Sequence, residues 1–254
     1  MKEIQTTKVE EKSLALWWIG QAGFALKTSA GRIIMVDPYL SFSMEDVTYI
    51  HETLVMDPHL AKVDYVFCSH DHMDHTDEAT IVGLAAGNPE SIFFGPISSA
   101  DKMRLFGLGP ERVRIIERGN MMTPEPRFSV EAVYAHHTED SVGFIFNFSG
   151  IVVYFTGDTE VGLSGYMGEM TRVQGLRPDL MIVCINPGFR NLGPQEAAWL
   201  TQLVGPRVVI PMHYDLIEEN TVNPQEFFEN LKGRKVSTQV ELMEHGGGYI
   251  YVQG

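Results

Sequence analysis

The stretch CSHDHMDHTD at residues 68–77 places three histidines and three aspartates in ten positions. Within it, His70, His72, Asp74 and His75 form the pattern H-x-H-x-D-H after an apolar run. Imidazole nitrogens and carboxylate oxygens are the usual ligands of borderline and hard divalent cations. If the preceding strand continues through the first two histidines, their side chains point to the same side. Four ligand groups in six residues therefore predict a metal site with capacity for two ions.

Further candidate ligands stand where other predicted strands end. They are His136 and His137 after RFSVEAVYA, Asp158 after GIVVYFTG, and His213 after RVVIPM. Folds of the α/β class place their sites at the carboxyl ends of strands. A carboxylate such as Asp158 can also bridge two ions about 3.5–4 Å apart. The sequence alone leaves His136 and His137 open as alternatives, although neighbours on a continuing strand point in opposite directions.

Short apolar runs alternate with helical patterns in two comparable halves of the chain. The predicted strands are 14–20, 22–28, 32–38, 63–70, 91–96, 112–117, 127–137, 142–148, 150–158, 179–186, 207–213 and 249–252. The predicted helices are 76–87, 98–109, 193–205 and 223–233, and residues 39–62 look irregular with room for one short helix. This order predicts an α/β sandwich of two sheets packed face to face with helices outside. No linker interrupts residues 1–254, which we interpret as one domain.

Composition restricts the class of partner. The 254 residues carry a formal net charge of −14, and an acidic chain repels polyanions, so we expect no nucleic-acid partner. We find no apolar run of membrane-spanning length, and the polar start MKEIQTTKVEEKS lacks the apolar centre of a signal peptide. Cys68 and Cys184 both lie in apolar runs and are expected to be buried thiols. Together these features predict a cytoplasmic protein without a membrane partner.

The motifs H-x-H-x-D-H, G-D-T and P-x-H, with a histidine between the first two, resemble those of the metallo-β-lactamase superfamily. The resemblance covers nearly the whole chain and implies an αββα sandwich with a binuclear site at one edge. Several stretches are similar to one branch, the L-ascorbate-6-phosphate lactonases and their relatives. They are WWIGQAGFALKTSAGRIIMVDP, SHDHMDHTD, FFGPISSADKMRLFGLGPERVRIIERGN, YFTGDTEVG and RVVIPMHYDLIEENTVNPQE.

The resemblance implies two metal positions. The implied ligands are His70, His72 and His137 for the first ion, and Asp74, His75 and His213 for the second, with Asp158 bridging them. Asp37, in VDP, corresponds to an aspartate that orients histidine ligands from behind. At His137 the chain departs from the ascorbate-phosphate lactonases, which carry an aspartate there. Both Zn²⁺ and Mn²⁺ therefore remain candidates for the two divalent ions.

Two ions that share a water lower its pKa and generate a hydroxide nucleophile, and no serine nucleophile elbow G-x-S-x-G competes with this interpretation. The function predicted is a lactonase that opens a sugar-phosphate-type lactone by attack of this hydroxide on the ring carbonyl. Asp74 or Asp158 would pass a proton to the leaving alkoxide. The alternatives are a metal-dependent phosphodiesterase and a non-catalytic metal-binding protein.

A small anionic or lactone substrate needs polar and cationic contacts. The candidates are Arg190, Asn186 and Asn191 around the segment NPGFRNLGP, Tyr214 beside His213, and Gln21 in WIGQAG. Arg190 lies between a strand end and a helix start, a position that suits an anion. His51, His59 and His245 have no motif partner and are expected to be solvated. Relatives of this kind often assemble, which leaves a homo-oligomer open.

Overall fold

A computed structural model describes residues 2–160 and 170–254. Residues 161–162 of the stretch YFTGDTEVG therefore lie outside the described part. The described strands are β1 Ser13–Gly20, β2 Gly23–Thr28, β3 Ile33–Val36, β4 Tyr65–Phe67, β5 Ile92–Gly95, β6 Val113–Ile115, β7 Met121–Glu125, β8 Phe128–Tyr134, β9 Val142–Phe148, β10 Ile151–Phe155, β11 Leu180–Cys184, β12 Val208–Met212, β13 Gln239–Val240 and β14 Gly248–Val252. The described α-helices are α1 Lys2–Thr6, α2 Glu78–Gly87, α3 Ile97–Leu105, α4 Pro194–Val204 and α5 Pro224–Lys232.

The strands form two mixed sheets of seven strands each within the described residues. The first has the order β14-β1-β2-β3-β4-β5-β6 and the second the order β13-β12-β11-β10-β9-β8-β7. In each sheet an antiparallel part adjoins a parallel part, β3 to β6 in the first and β10 to β13 in the second. The last strand, β14, returns to pair with β1 of the first sheet. This confirms the predicted sandwich of two mixed sheets with helices.

Strand β1 is covered on both of its faces, which explains why its sequence is an unbroken apolar run. Leu14, Leu16 and Trp18 of β1 belong to the core that also contains inward residues of the second sheet. The alternate residues Ala15 and Trp17 face the other way, into a core shared with buried residues of α2 and α3. A strand covered on both sides needs apolar residues at every position, and β1 is buried throughout.

Aromatic rings fill much of the space between the sheets. Phe67 of β4 stacks on Phe94 with 4.5 Å between ring centroids. It also meets the edges of Phe144 and Phe146 of β9, at 5.6 and 5.2 Å. Offset and edge contacts of this kind are preferred by aromatic quadrupoles. They fix β4, whose end leads into the 68–77 motif, against the second sheet.

The structure corrects several sequence predictions. No helix forms in 39–62, where Tyr49 instead makes an isolated bridge with Ile217. The helix α1 and the short strands β7 and β13 were not predicted from the sequence. The two strands were missed because their sequences, MMTPE and QV, lack an apolar alternation. The strands before the ligands also end two or more residues earlier than predicted in β4, β8 and β10. No helix in 2–160 or 170–254 is long and apolar enough to cross a bilayer.

Candidate metal centre

The 68–77 motif is a loop, not the end of a strand. β4 stops at Phe67, and the backbone then turns so that the amides of His75 and Thr76 both donate to the carbonyl of His72, at 3.0 and 2.8 Å. Asp77 ends the loop by accepting from the amide of Thr80, and so caps α2. Convergence of the ligands therefore comes from this turn and the following helix cap, and not from the alternation of an extended strand.

The other ligand candidates lie on loops that follow strands of the second sheet. His137 follows β8, Asp158 follows β10, and His213 follows β12. His213 has a left-handed backbone with φ of 69°, which is uncommon outside glycine. Gly157, beside Asp158, also has positive φ, and a Cβ there would lie 2.8 Å from the carbonyl of Val142. The ligand loops of the second sheet are thus held in conformations that few other residues could adopt.

These loops bring the predicted ligands into one cluster, in which His72 is the exposed member. Three groups have ligand atoms within 4.8 Å of one another: His70, His72 and His137; His70, His75 and Asp158; and Asp74, His75 and His213. The first and third groups are the two sets that the sequence resemblance implied. The second group joins them through Asp158, so the candidate ligands form one continuous cluster.

Asp158 lies between the two sets. Its Oδ2 is 3.7 Å from His137 Nε2, 3.5 Å from His75 Nε2 and 3.4 Å from His213 Nε2. His213 Nε2 also lies 3.3 Å from Asp74 Oδ2. The amide of Asn191 donates to Asp158 Oδ2 at 2.6 Å and fixes the carboxylate. One carboxylate oxygen thus approaches imidazoles of both sets.

The unpaired atoms of the cluster fit divalent cations. Among the described residues, the buried atoms His70 Nε2, His75 Nε2, His213 Nε2 and Asp158 Oδ1 have no hydrogen-bond partner. Buried polar atoms are normally paired, and unpaired ones call for an explanation such as a bound ion. Imidazole and carboxylate donors in these numbers suit zinc and manganese. The residues present therefore fit the metal ions that the sequence implied.

The protein contacts the Nδ1 atoms of three of these histidines, His70, His75 and His137. Asp37 Oδ2 accepts from His75 Nδ1 at 2.7 Å, and Arg190 O accepts from His137 Nδ1 at 3.2 Å. His70 Nδ1 lies 3.0 Å from the hydroxyl of Ser69, which donates to Asp37. A nitrogen that donates from Nδ1 leaves the Nε2 lone pair for a cation. Asp37 is thus placed behind the histidines, in the orienting position expected for it.

Carboxylates and imidazoles in the cluster shift one another's pKa values towards their charged forms. Burial alone would raise the pKa of Asp158, but charge on His213 and His75 lowers it well below the usual carboxylate value. Burial lowers the pKa of His213, yet Asp158 and Asp74 outweigh it and raise that pKa to about 9. Burial depresses the pKa of His70, which stays neutral. Cations that bind at His75 and His213, whose pKa values are raised by the neighbouring carboxylates, must displace protons from these two rings, so metal binding should release protons.

The residues predicted to bind substrate have varied surroundings. The guanidinium of Arg190 pairs with Glu160 at 3.0 Å and donates to His136 Nε2 at 2.9 Å, although its side chain is 55% exposed. At the start of the following helix, Glu196 accepts from the amide of Gly193, which leaves less donor capacity for an anion than expected. His136 points to Arg190 and Glu160 and is absent from the metal-competent groups, whereas His137 is present.

Three of the other substrate candidates, Tyr214, Asn186 and Asn191, are hydrogen-bonded inside the protein. Tyr214 is buried and its hydroxyl donates to Met243 O at 2.8 Å, which leaves no free hydroxyl to donate to a substrate. Asn186 donates to Asn220 at 3.0 Å, and its buried carbonyl oxygen has no partner among the described residues. The side-chain amide of Asn191 donates to the carboxylate of Asp158, so this donor is already used within the protein.

Gln21 contributes more than its isolated place in the sequence indicated. Its side-chain amide donates to Asp74 Oδ2 at 3.2 Å. The backbone carbonyl of Gln21 accepts from the backbone amide of His213 at 2.9 Å and from the indole N–H of Trp18 at 2.8 Å. Gln21 is fully buried with φ of 47°, so a strained backbone ties two ligands of the second set to β1.

A group near the end of β12 escaped prediction. The rings of His51 and His245 stack 4.1 Å apart, and His51 Nε2 lies 3.2 Å from Asp215 Oδ2. Neither histidine is the solvated loop residue expected. The three residues come from separate segments that share no motif, so no signal in the sequence could have joined them. His59 lines a groove beside α2 and remains outside the metal centre.

One protein family matches the part of the chain that contains all of the candidate ligands. The family described as the β-lactamase superfamily domain matches residues 15–213, a span that includes every candidate ligand. The chain belongs to this superfamily.

Relatives and solved structures agree with this assignment. A metal-dependent hydrolase of Caldivirga maquilingensis is 29% identical over 239 residues, covering 91% of this chain and 95% of the relative. The metallo hydrolase Igni18 of Ignicoccus hospitalis superposes with a TM-score of 0.74 at 21% identity, covering 95% of this chain and all of that one. An isothiocyanate hydrolase from Delia radicum gut bacteria gives 0.72 at 17% identity, covering 94% and 99%. The two solved structures have the same fold as this chain, and none of the three names specifies a lactone substrate.

Proposed function

We propose that the protein is a metal-dependent hydrolase of the β-lactamase superfamily that opens a lactone, with an anionic sugar-phosphate-type lactone as substrate. The observation that carries the hydrolase proposal is the convergence of five histidines and two aspartates with unpaired, buried ligand atoms. His70, His72 and His137 would hold one Zn²⁺ or Mn²⁺ ion, and Asp74, His75 and His213 a second, with Asp158 between them. Relatives such as the Caldivirga maquilingensis protein carry the description metal-dependent hydrolase.

Bound divalent cations supply Lewis acidity and lower the pKa of a shared water toward neutrality. The residues around the cluster determine what becomes of the proton. Asp158 Oδ2 is occupied by Asn191, and the side chain is 4% exposed. The side chain of Asp74 is 13% exposed and accepts one hydrogen bond from Gln21. We therefore assign proton transfer to the leaving alkoxide to Asp74 and the bridging role to Asp158.

The lactone part of the proposal rests on the sequence stretches shared with L-ascorbate-6-phosphate lactonases and on the charge around the site. The chain has a net charge of −14, and the backbone carbonyl of Arg190 accepts from His137 Nδ1, which places a cationic residue beside the cluster. A nuclease or a general phosphodiesterase would need several cations to hold a polyanion. Arg190, whose side chain is exposed beside the cluster, can contact the single phosphate of a small substrate.

A panel of hydrolysable substrates tests this function. Protein reconstituted with Zn²⁺ or Mn²⁺ is assayed on L-ascorbate-6-phosphate, neutral lactones, bis-p-nitrophenyl phosphate and an alkyl isothiocyanate. Turnover of the ascorbate phosphate, lost on metal removal by a chelator, is the expected result. Turnover of the phosphodiester alone would retain the hydrolase and replace the lactonase by a phosphodiesterase. Two bound ions with no turnover in the panel would favour a non-catalytic protein.

Replacement of Arg190 is expected to separate charged from neutral substrates. Arg190→Ala should raise KM about tenfold for a phosphorylated lactone, the scale of one charge-assisted contact, and leave KM for neutral lactones nearly unchanged. Arg172→Ala is the matched control, because Arg172 is also about half exposed and pairs with a carboxylate, Glu131. Equal changes for the two substrates would remove Arg190 from the anchor role.

A further inference from the structure

The loop that carries His137 is held from one side by a single arginine. This histidine loop comprises residues 135–141, between the end of β8 and the start of β9. The guanidinium of Arg118 donates from Nε to Ser141 O at 3.0 Å and from Nη2 to Glu139 O at 2.9 Å. Nη2 also lies 3.3 Å from Ala135 O and 3.4 Å from Thr138 O. One side chain thus reaches carbonyls at both ends and in the middle of the loop.

The same guanidinium fixes the stem of the loop. It lies over the ring of Tyr134, the last residue of β8, at 4.5 Å from the centroid. Within 2–160 and 170–254, no carboxylate forms an ion pair with Arg118, although the protein is strongly acidic. A planar fork with several donors can satisfy divergent carbonyls at once, which a lysine ammonium cannot do from one position. The contacts of this arginine are therefore directed to the loop backbone and to the strand that leads into it.

The opposite side of the loop is anchored independently. Asp140 accepts from the amide and the hydroxyl of Ser98 at the start of α3, both at 2.8 Å. Ser141 accepts from the amide of Thr138 through its hydroxyl at 3.1 Å. Loss of Arg118 would consequently loosen the loop without detaching it. His137 is the member of the loop whose Nε2 lies 3.0 Å from His72 Nδ1 and 3.7 Å from the bridging Asp158.

We propose that Arg118 is a positioning residue for the first metal ion: its grip on the carbonyls of 135–141 sets His137 against His70 and His72. The inference rests on the proposed metal-dependent function. It concerns a residue 19 positions before His137 that contacts no ligand side chain. Outer residues that orient metal ligands change metal affinity by about 10- to 100-fold when they are replaced.

The chain contains a matched control in Arg112. Its guanidinium also binds backbone carbonyls, those of Ser91, Ala85 and Asn88, at 3.0, 3.1 and 2.7 Å. It likewise lies over an aromatic ring, that of Phe93, at 5.3 Å. The segment it holds, between α2 and β5, carries no metal ligand. Arg112→Met therefore reproduces the loss of a carbonyl-binding, ring-stacked arginine without touching the metal centre.

The experiment titrates Zn²⁺ into full-length metal-free protein against a chromophoric chelator, for wild type, Arg118→Met, Arg112→Met and His137→Ala. Wild type and Arg112→Met are expected to bind two ions with the same affinities. Arg118→Met should weaken one of the two by about 10- to 100-fold and leave the other unchanged. His137→Ala identifies the affected ion, because it removes a ligand of the first position only. A further variant, Arg118→Ala, leaves space for a free guanidinium. Ethylguanidinium added to this variant should restore part of the Zn²⁺ affinity that it loses.

Each outcome separates the inference from the function on which it rests. If wild type binds no Zn²⁺, the metal-dependent function fails. If wild type binds two ions and both arginine variants match it, or if both weaken binding equally, Arg118 is only a structural residue. Weakening of the ion that His137→Ala leaves intact would also overturn the proposal. Melting temperatures of the four metal-free proteins show whether any change in affinity merely follows stability.

Discussion

Asp158→Ala is expected to release both ions and to lower hydrolysis by roughly 10³-fold, which corresponds to several kcal/mol of lost transition-state stabilisation. The reason is its position: one oxygen lies within 3.7 Å of His137 of one set and of His75 and His213 of the other. No other carboxylate among the described residues approaches imidazoles of both sets. Metal content per chain after gel filtration, with activity on the substrate identified by the panel, measures the effect.

The control for this variant is Asp101→Ala, which removes an exposed aspartate that pairs with Arg104 on α3. It should retain two ions and full activity. The circular dichroism of Asp158→Ala should match that of wild type, because Asp158 lies on a loop beyond the end of β10. A variant that keeps two ions per chain would show that Asp158 does not bridge them.

Phe67→Ala is expected to lower the free energy of unfolding by about 3–5 kcal/mol, the usual cost of removing a buried aromatic ring. Phe67 is fully buried and packs on Phe94 of its own sheet and on Phe144 and Phe146 of the other. The cavity would open between the two sheets, where neighbouring rings cannot collapse without moving the strands. Denaturant unfolding of the metal-free protein measures the change, since bound ions would add their own stabilisation.

Phe42→Ala provides the comparison for this prediction. Phe42 is 40% exposed and contacts Tyr49 in the irregular segment, at 4.7 Å between ring centroids. Its removal should cost less than about 1 kcal/mol, as expected for a side chain outside the core. Similar losses for Phe67→Ala and Phe42→Ala would mean that the rings between the sheets do not bear the stability assigned to them.

Much of the metal centre could be predicted from sequence because its ligands fall into short motifs. His70, His72, Asp74 and His75 lie within six residues, so the local chain brings them together in almost any compact fold. The ligands His137, Asp158 and His213 were predictable for a different reason, since each follows a strand whose end meets the same edge of a sheet. The strand ends themselves were less accurate, because the apolar pattern continues for a few residues after hydrogen bonding stops.

The substrate candidates show where such prediction stops. Arg190 was assigned to an anion from its place before a helix, but the fold gives it Glu160 and His136 as partners. Tyr214 was assigned to the substrate from its place beside His213, but its hydroxyl is bonded to Met243. For Tyr214 the position along the chain was predicted correctly and the direction of the side chain was not, because direction depends on which distant segment packs nearby.

The sequence by itself determined the class of fold and the types of the candidate metal ligands. Both follow from local patterns: apolar strand runs that alternate with helices, and the spacing of residues within short motifs. Only the tertiary structure decided which atoms meet. It placed Asp158 between the two histidine sets, Gln21 against Asp74, Asn191 against Asp158 and Arg118 on the histidine loop. These contacts join residues 17 or more positions apart that share no motif. Gln21–Asp74 and Asn191–Asp158 each join loops at the edge of one sheet, whereas the packing of the two sheets brings Asp158 to His75 and Arg118 to the histidine loop, so strand order and sheet packing together decide these contacts.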